Sequence, residues 1–213
     1  MPPPGSLTVV LATRNAGKAR EFARLLADAG FTLLDLRSFA GVDLPPEDGR
    51  TYRDNARTKA LTVARATGLP AMADDSGLEV DALDGAPGVR SARFAGAGAS
   101  DAERVALLLD RLRTVPAERR TARFRCVLVV AHPDGRTLTA EGTCEGRVTA
   151  APHGASGFGY DPVFHYPPAA STFAEMDPND KNAVSHRANA IANLRPRLLA
   201  FLHAGPQRPI PEP

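Results

Sequence analysis

The sequence contains few cysteines and no long apolar run. Among its 213 residues only Cys126 and Cys144 are cysteines, and neither has metal-type spacing to a histidine. We therefore expect two reduced thiols in a cytoplasmic protein, and neither a disulfide framework nor a zinc site. No apolar stretch approaches the roughly 20 residues of a membrane span. Residues 1–6 have no basic or apolar region of the kind found in signal peptides. The sequence thus predicts neither a membrane partner nor a signal peptide.

An excess of charge of one sign is also missing. The 26 basic and 24 acidic residues give a formal net charge of +2, which argues against a protein built to coat nucleic acid. A local basic pocket for an anionic small molecule remains possible. Tryptophan is absent, but 43% hydrophobic and 23% charged residues are ordinary for a globular protein. We predict one domain over residues 1–213, with flexible tails at 1–6 and 205–213.

A strand, a polar loop and a helix open the chain. Residues 7–12 are predicted to form a strand, residues 13–18 a loop, and the following helix ends at Gly30. Helix N-termini present free N–H groups and a positive dipole end, so this loop is suited to an anion. It is not a P-loop, because Ala12 and Ala19 stand where the Walker pattern needs Gly and Ser or Thr. A helix start that merely uses Thr13 and Asn15 as caps fits this segment equally well.

Other segments predict a sheet of mixed direction with helices around it. Local signals include a capping box with Thr51 and Asp54, a glycine stop at Gly68, and a hairpin turn at Asp134-Gly135. We predict strands at 31–36, 69–73, 78–83, 121–131 and 137–150, and helices at 51–67, from Ser100, and from Ser185.

The helix after Ser185 contains a proline. Its inward positions are Ile191, Leu194, Leu198 and Leu202. Because an interior proline costs about 3 kcal/mol in a helix, Pro196 predicts a kink or break near Leu194.

The stretch Asp74-Asp75-Ser76-Gly77 follows the predicted strand at 69–73. Successive side chains of an extended chain point to opposite faces, so Asp74 and Asp75 cannot serve one site equally. One is expected to bind or activate a group in a cleft, and the other to support the loop. A carboxylate at a strand end suits Mg²⁺. Taken alone, however, the stretch is better explained as an acidic turn that caps backbone amides.

A glycine-rich aromatic segment lies at residues 154–164. Glycines on both sides of Phe158 permit close approach to a flat ligand, the ring offers a stacking surface, and Asp161 can accept hydrogen bonds from a base or ribose. A structural turn with its aromatic rings packed on the core is the alternative. Farther along, Ser185 is a good N-cap, which places His186 and Arg187 in a first turn where cations oppose the helix dipole. We therefore expect them, with Lys181, to face an anion or a carbonyl group.

The start of the strand at 121–131 is basic, with Arg119, Arg120, Arg123 and Arg125. These arginines have no interleaved aromatic residues, so a solvated strand face explains them better than a nucleic-acid patch.

Three features together are typical of a nucleoside triphosphate site. They are a loop suited to an anion, a carboxylate beside a strand, and an aromatic loop followed by Lys181, His186 and Arg187. Over roughly residues 7–202 the chain resembles the inosine/xanthosine triphosphate pyrophosphatases, which act on non-canonical purine nucleotides. The motifs that carry the resemblance, in order, are Thr13-Arg14-Asn15-Ala16-Gly17-Lys18, Glu47-Asp48-Gly49, Asp74-Asp75-Ser76-Gly77-Leu78, Gly85-Ala86-Pro87-Gly88, Phe158-Gly159-Tyr160-Asp161 and Ser185-His186-Arg187.

The resemblance implies an α/β fold with a long mixed β-sheet flanked by helices in two lobes. The active site would lie in the cleft between the lobes, and the protein would be a cytoplasmic homodimer. The implied reaction is Mg²⁺-dependent hydrolysis of ITP, dITP and XTP to the monophosphate and pyrophosphate. Two alternatives remain open: a related pyrophosphatase that prefers other modified or pyrimidine nucleotides, and a nucleotide-sensing or RNA-binding module without catalysis.

The resemblance also implies roles for individual residues. Asp75 would be the proton acceptor and a Mg²⁺ ligand, with Glu47 as the second metal ligand. Phe158 would stack on the purine. The remaining substrate-binding residues would be Thr13, Arg14, Asn15, Ala16, Gly17, Lys18 and Lys59 at the phosphates, and Ser76, Gly159, Tyr160, Asp161, Lys181, His186 and Arg187 around the rest of the nucleotide. Arg14 departs from the family, in which this position is often small.

Overall fold

A seven-stranded mixed sheet organises the fold. The computed structural model describes residues 7–204, so the tails predicted at 1–6 and 205–213 lie outside the described residues. Strands β1 (Thr8–Leu11), β2 (Thr32–Asp35), β3 (Ala71–Val80), β4 (Thr121–Ala131), β5 (Thr137–Val148), β6 (Phe164–Tyr166) and β7 (Ser171–Thr172) follow the spatial order β2-β1-β3-β4-β5-β6-β7. β1 pairs in parallel with β2 and β3, and the other pairs are antiparallel. The predicted mixed sheet is confirmed.

Helices cover the sheet in two lobes. They are α1 (Ala16–Leu25), α2 (Tyr52–Thr67), α3 (Asp101–Arg111), α4 (Pro178–Val184) and α5 (His186–His203). In the first lobe, α1 and α5 pack on one face of the sheet and α2 packs on the other. In the second lobe, α3 and β6 pack on the far ends of β3, β4 and β5. None of the helices within residues 7–204 is apolar over a length that would cross a bilayer.

Helix α2 forms where its local signals place it. Thr51 and Asp54 form the predicted capping box, and Gly68 ends the helix in the left-handed conformation with φ +69°. A glycine adopts this conformation without the steric cost that other residues bear. The prediction for residues 51–67 is therefore confirmed.

The acidic stretch lies inside a strand, so its prediction as a loop at a strand end was wrong. β3 runs without interruption from Ala71 to Val80, and it pairs residue by residue with β4, from Ala71 opposite Ala131 to Val80 opposite Ala122. The long partner strand satisfies the backbone groups that a turn would otherwise leave to side chains. The separate strand predicted at 78–83 is the last part of β3, and it ends at Val80 because residues 81–83 form a 3₁₀ turn.

The break predicted near Leu194 does not occur. Helix α5 continues through Pro196 for 18 residues, from His186 to His203. Pro196 lies on the exposed face, where the carbonyl group that loses its partner can meet water, while Leu194, Leu198 and Leu202 stay buried on the opposite face. Packing of this apolar face on the sheet outweighs the local cost of the proline.

Candidate active site

A cleft opens where the two lobes meet, beside the middle of β3. Many of the residues singled out from the sequence line it: Asn15, Lys18, Glu47, Asp75, Ser76, Phe158, Gly159, Tyr160, Asp161, His186 and Arg187. Gly17 and Lys181 line an adjoining pocket on the other side of Phe158. The fold thus brings together segments that lie up to about 170 residues apart in the sequence.

The first turn of α1 supplies the anion-binding features of the cleft. The helix spans Ala16–Leu25, so it begins three residues earlier than predicted and ends before the predicted stop at Gly30. Asn15 caps it by accepting a hydrogen bond from Lys18 N at 3.0 Å. Thr13 is buried and its Oγ1 accepts from Asn15 N at 3.2 Å. The positive end of the α1 dipole and the ammonium group of Lys18 therefore lie on the same side of the cleft.

Arg14 pairs with Asp43, whereas Lys18, the other cation of this loop, pairs with Asp74. Its guanidinium donates to Asp43 Oδ1 at 2.7 Å and to the carbonyl oxygen of Val42 at 3.2 Å. Both side chains of the ion pair are largely exposed. In this conformation Arg14 connects the anion loop to the segment that carries Glu47.

Asp74 and Asp75 project from opposite faces of β3, as the strand periodicity predicts. On the face toward α1 and α5, the Asp74 carboxylate contacts Lys18 Nζ at 2.8 Å and Arg187 Nε at 3.6 Å, and it accepts from Ser76 Oγ at 3.0 Å. Burial by itself would raise the pKa of Asp74, but Lys18, Arg187 and Lys59 outweigh it and hold the pKa well below its usual range. Asp74 is therefore a permanent anion that orients the cations of the site.

Asp75 has the opposite electrostatic character. It is 4% exposed, and burial raises its pKa to about 6, although Lys59, Lys18 and a hydrogen bond from Asn55 act in the other direction. Asn55 Nδ2 donates to Oδ2 at 2.8 Å, and Ser76 N donates to Oδ1 at 3.0 Å. A carboxylate with a pKa near neutrality can take up a proton during a reaction, as a general base must.

Two side chains on one face of α2 bring Glu47 to the same place. Asn55 accepts from Gly49 N at 2.8 Å while it donates to Asp75. One turn later, Lys59 Nζ donates to Glu47 Oε1 and, at 2.7 Å, to the carbonyl oxygen of Asp74. Lys59 is buried and its contacts hold the Glu47 segment against β3. The phosphate contact of Lys59 is a prediction from the family resemblance.

Glu47 and Asp75 are the oxygen ligands that the cleft offers a metal ion. Within residues 7–204 no group of three or more His, Cys, Asp or Glu side chains could hold a metal. Two carboxylates suit Mg²⁺, which binds through one or two of them and keeps other positions for water and phosphate. The raised pKa of Asp75 indicates that its negative charge lacks sufficient compensation, which a cation would supply. The residues present therefore fit Mg²⁺.

The Phe158 ring lies among cations, directly beside the first turn of α1. Lys181 Nζ is 5.1 Å and Arg187 Cζ is 5.3 Å from the ring centroid, both within cation–π range. A Cβ at Gly17 would lie 2.5 Å from Phe158 Cδ1, so glycine is required for this close approach. The ring thus packs between the first turn of α1 and the start of α5.

Glu21 organises these cations, and sequence reasoning did not find it. Its carboxylate accepts from Lys181 Nζ and Arg187 Nη1, each at 2.8 Å. Lys181 also contacts Asp161 at 2.5 Å, and Arg187 Nη2 donates to Ser76 Oγ at 2.8 Å. Positions 17 and 21 share one face of α1, so their spacing could have indicated that Glu21 faces the same adjoining pocket as Gly17. The partners of Glu21, some 160 residues away, could not have been inferred from that spacing.

His186 is held as a neutral ring at the wall of the cleft. Its ring stacks on Phe124 with centroids 4.7 Å apart, and Nδ1 has no hydrogen-bond partner among residues 7–204. Burial, Arg187 and Lys181 all lower the pKa of His186 well below its ordinary value. A buried ring nitrogen without a partner is available to a ligand.

Three of the four arginines at the start of β4 are engaged in contacts within the protein, and the fourth, Arg119, is exposed. Arg123 pairs with Asp81 and Glu145, and Arg125 pairs with Glu79 and Glu141. Arg120 is buried and donates to three backbone carbonyl groups. These contacts neutralise the basic strand and disfavour the nucleic-acid interface that was considered as an alternative.

Comparisons with known proteins agree on one family. A family model described as the Ham1 family matches residues 9–197. The chain is 52% identical over 204 residues to the dITP/XTP pyrophosphatase of Thermus thermophilus, covering 96% of each protein. A similar relative is the dITP/XTP pyrophosphatase of Desulforamulus reducens, which is 52% identical over 185 residues and covers 87% of this chain and 92% of the relative.

Solved structures give the same picture. A HAM1 protein from Coxiella burnetii superposes with a TM-score of 0.82 at 41% identity, covering 91% of this chain and 99% of that one. The nucleoside-triphosphatase, dITP/XTP pyrophosphatase, from Mycobacterium abscessus gives a TM-score of 0.71 at 41% identity, covering 87% of this chain and 97% of that one.

Proposed function

The chain belongs to the Ham1 family, and on that basis we propose that it hydrolyses dITP, ITP and XTP to the nucleoside monophosphate and pyrophosphate. The observation that carries the proposal is the placement of Asp75, a buried carboxyl with a pKa of about 6, in the same cleft as Lys18 and Glu47. The names of the relatives from Thermus and Desulforamulus support the choice of substrates.

Asp75 would act as the general base. Its carboxylate accepts a proton from a water molecule, whose oxygen forms a bond to the α-phosphorus. The bond from this phosphorus to the bridging oxygen breaks, and pyrophosphate leaves with the electron pair. Asn55 Nδ2 and Ser76 N hold both oxygens of Asp75 by hydrogen bonds of 2.8 and 3.0 Å, which fixes the direction of proton transfer. A single carboxylate held in this orientation, that of Asp75, is sufficient to accept the proton from water.

Lys18 and the first turn of α1 would bind the leaving pyrophosphate. Lys18 is oriented by Asp74, and the free N–H groups of α1 face the same end of the cleft. Glu47 and Asp75 would hold Mg²⁺, which when bound supplies positive charge against the phosphates and the departing pyrophosphate. Charge that develops on the leaving group is thus met by fixed positive groups, and this lowers the barrier.

The purine ring of the substrate would be recognised by Phe158 and by two cationic side chains that can only donate hydrogen bonds. Arg187 and Lys181 carry hydrogen-bond donors and no acceptor. They therefore favour the 6-carbonyl group of hypoxanthine and xanthine and would leave the 6-amino group of adenine unpaired. Glu21 holds both cations in place through its two oxygens. From the same family resemblance we propose that the protein works as a cytoplasmic homodimer.

A substrate panel tests the proposal. Pyrophosphate release is measured for ITP, dITP, XTP, ATP, GTP and a set of modified pyrimidine triphosphates, each with Mg²⁺ and with excess chelator. We expect kcat/KM for the first three to exceed that for ATP by at least about 100-fold, because the wrong base leaves buried donors unpaired. Activity should disappear with chelator. Equal rates on all nucleotides, a preference for a pyrimidine, or indifference to the metal would contradict the proposal.

A further inference from the structure

We propose that Asp101, held by Arg104, is a positioning residue that fixes the aromatic loop, defined here as residues 158–160. The loop carries the ring that would stack on the base. Only the kinetic part of this proposal rests on the proposed function. The structural part concerns the free protein.

Asp101 contacts the backbone of the aromatic loop directly. It is the first residue of α3, and its Oδ2 accepts a hydrogen bond from Gly159 N at 2.7 Å. Gly159 follows Phe158 immediately in the chain. Glycines on both sides of Phe158 have positive φ, +81° at Gly157 and +63° at Gly159. Because glycine gives the backbone great freedom, the position of the ring depends on contacts made from outside the loop.

Arg104 fixes the Asp101 carboxylate. It lies one turn along α3, and its Nη2 donates to Oδ1 of Asp101. Its Nη1 donates to the carbonyl oxygen of Ala92 at 3.0 Å and to that of Ala99. The Arg104 side chain is 17% exposed, and both residues line the cleft. One guanidinium therefore ties α3, the 3₁₀ segment Gly88–Arg93 and residue 99 together, with the Asp101 carboxylate facing the loop.

A second contact ties the loop to β3. Tyr160 OH donates to the carbonyl oxygen of Ser91 at 2.9 Å, and Ser91 Oγ accepts from Leu78 N at 2.9 Å. Leu78 lies two residues beyond Ser76. The aromatic loop is thus connected both to α3 and to the strand that carries Asp75, so the ring and the general base are held in one frame. Of these two contacts, the hydrogen bond from Gly159 N to the Asp101 carboxylate is the charge-assisted one.

A purely structural role for Asp101 would be to stabilise the start of α3. An acidic residue in the first turn of a helix is favourable whatever else it touches. Glu103 provides a matched control, because it lies in the same turn and forms the capping box with Ser100 but has no hydrogen bond to the loop. Replacing Glu103 weakens the helix start and leaves the contact to Gly159 in place.

The first readout is amide hydrogen exchange in the free protein. In Asp101→Ala, we expect exchange of the amides in residues 158–160 to accelerate about tenfold, since a charge-assisted hydrogen bond is lost. Asp101→Asn keeps an acceptor oxygen and should show a smaller increase. Glu103→Ala should leave exchange in these residues unchanged. Unchanged exchange in Asp101→Ala, or equal acceleration in Glu103→Ala, would overturn the positioning role.

The second readout is steady-state kinetics with dITP. We expect Asp101→Ala to raise KM about fivefold with kcat changed less than about twofold, because the ring acts in binding and not in bond cleavage. Asp101→Asn should restore part of the loss, and Glu103→Ala should match the wild type. A fall in kcat at constant KM would contradict the proposal. If the wild-type protein releases no pyrophosphate, the proposed function fails, while the exchange experiment still decides whether Asp101 positions the loop.

Discussion

Replacing Asp75 with asparagine is expected to lower kcat for dITP by about a thousandfold, since a general base contributes two to four powers of ten and asparagine cannot accept the proton. The amide keeps the size of the side chain and one acceptor oxygen, which can replace only one of the two carboxylate oxygens that accept from Asn55 and Ser76. The variant is therefore expected to fold at the cost of about one hydrogen bond. The measurement is pyrophosphate release under saturating substrate.

Binding separates this effect from a loss of structure. In metal-free buffer, Asp75→Asn should bind the nucleotide about as well as the wild type, because Lys18, Lys181, Arg187 and Phe158 are unchanged. Asp81→Asn is a matched control, since Asp81 follows β3 but its carboxylate contacts Thr121 and Arg123 away from the cleft. It should have normal turnover. Near wild-type kcat in Asp75→Asn would remove Asp75 from the role of base.

The same substitution is expected to stabilise the fold at neutral pH. The pKa of Asp75 is about 6 in the folded protein, against an ordinary value of 3.8 for an aspartate, so the folded state holds the proton more tightly. As pH rises from about 4 to about 6, the unfolded state therefore binds fewer protons than the folded state, and stability contributed by Asp75 is lost. A pKa raised by this amount means that the ionised Asp75 lowers the free energy of unfolding by at most about 3 kcal/mol at pH 7.

Asparagine is neutral throughout this range and avoids that cost. In metal-free buffer, Asp75→Asn should increase the free energy of unfolding by about 2 kcal/mol at pH 7.5 and by much less at pH 4. The metal must be absent because binding to the folded wild type would stabilise it. Equal differences at the two pH values would show that the ionisation of Asp75 is not the cause.

Replacing Gly142 with alanine is expected to destabilise the protein by about 3 kcal/mol and to lower Tm by roughly 10 °C. Gly142 lies on β5 beneath the first turns of α5. A Cβ there would overlap the backbone nitrogen of Ala190 and the carbonyl oxygen of His186, and would lie 2.8 Å from Ala190 Cα. Since these are backbone atoms of a helix, no side chain can turn aside, and the helix itself must move.

Movement of α5 would also disturb the cleft, because His186 and Arg187 form its first turn. We expect KM for dITP to rise in Gly142→Ala at a temperature at which the protein is folded. Gly41→Ala is a suitable control, since its Cβ would meet no atom of the described part of the chain within 4 Å. Only its φ of +77° carries a cost, about 1 kcal/mol. Equal changes in Tm for the two variants would show that α5 does not depend on the close contact.

The sequence predicted features that depend on neighbours in the chain. The capping boxes at Thr51 and Ser100 and the stop at Gly68 arise from contacts within a few residues, and the structure contains them. Alternation along β3 likewise separated Asp74 from Asp75. The family resemblance implied one cleft for Lys18, Asp75 and Phe158, and all three line the same cleft in the structure.

Features that depend on distant partners could not be read in the same way. The acidic stretch resembles a turn until β4, about 50 residues later, pairs with it. Glu21 looks like an ordinary helix residue until Lys181 and Arg187 reach its carboxylate. Pro196 remains in α5 because the buried face of that helix is stabilised by the sheet. Helix α4, which carries Lys181, gave no periodic signal over its 7 residues.

Hydrolysis of dITP in ¹⁸O-labelled water tests most directly whether water attacks the α-phosphorus beside Asp75. The products are separated and the label in each is measured by mass spectrometry. If Asp75 activates water for attack at that atom, one labelled oxygen appears in dIMP and none in pyrophosphate. Label in pyrophosphate, or release of inorganic phosphate with dIDP, would place the attack at another phosphorus and contradict the proposed reaction.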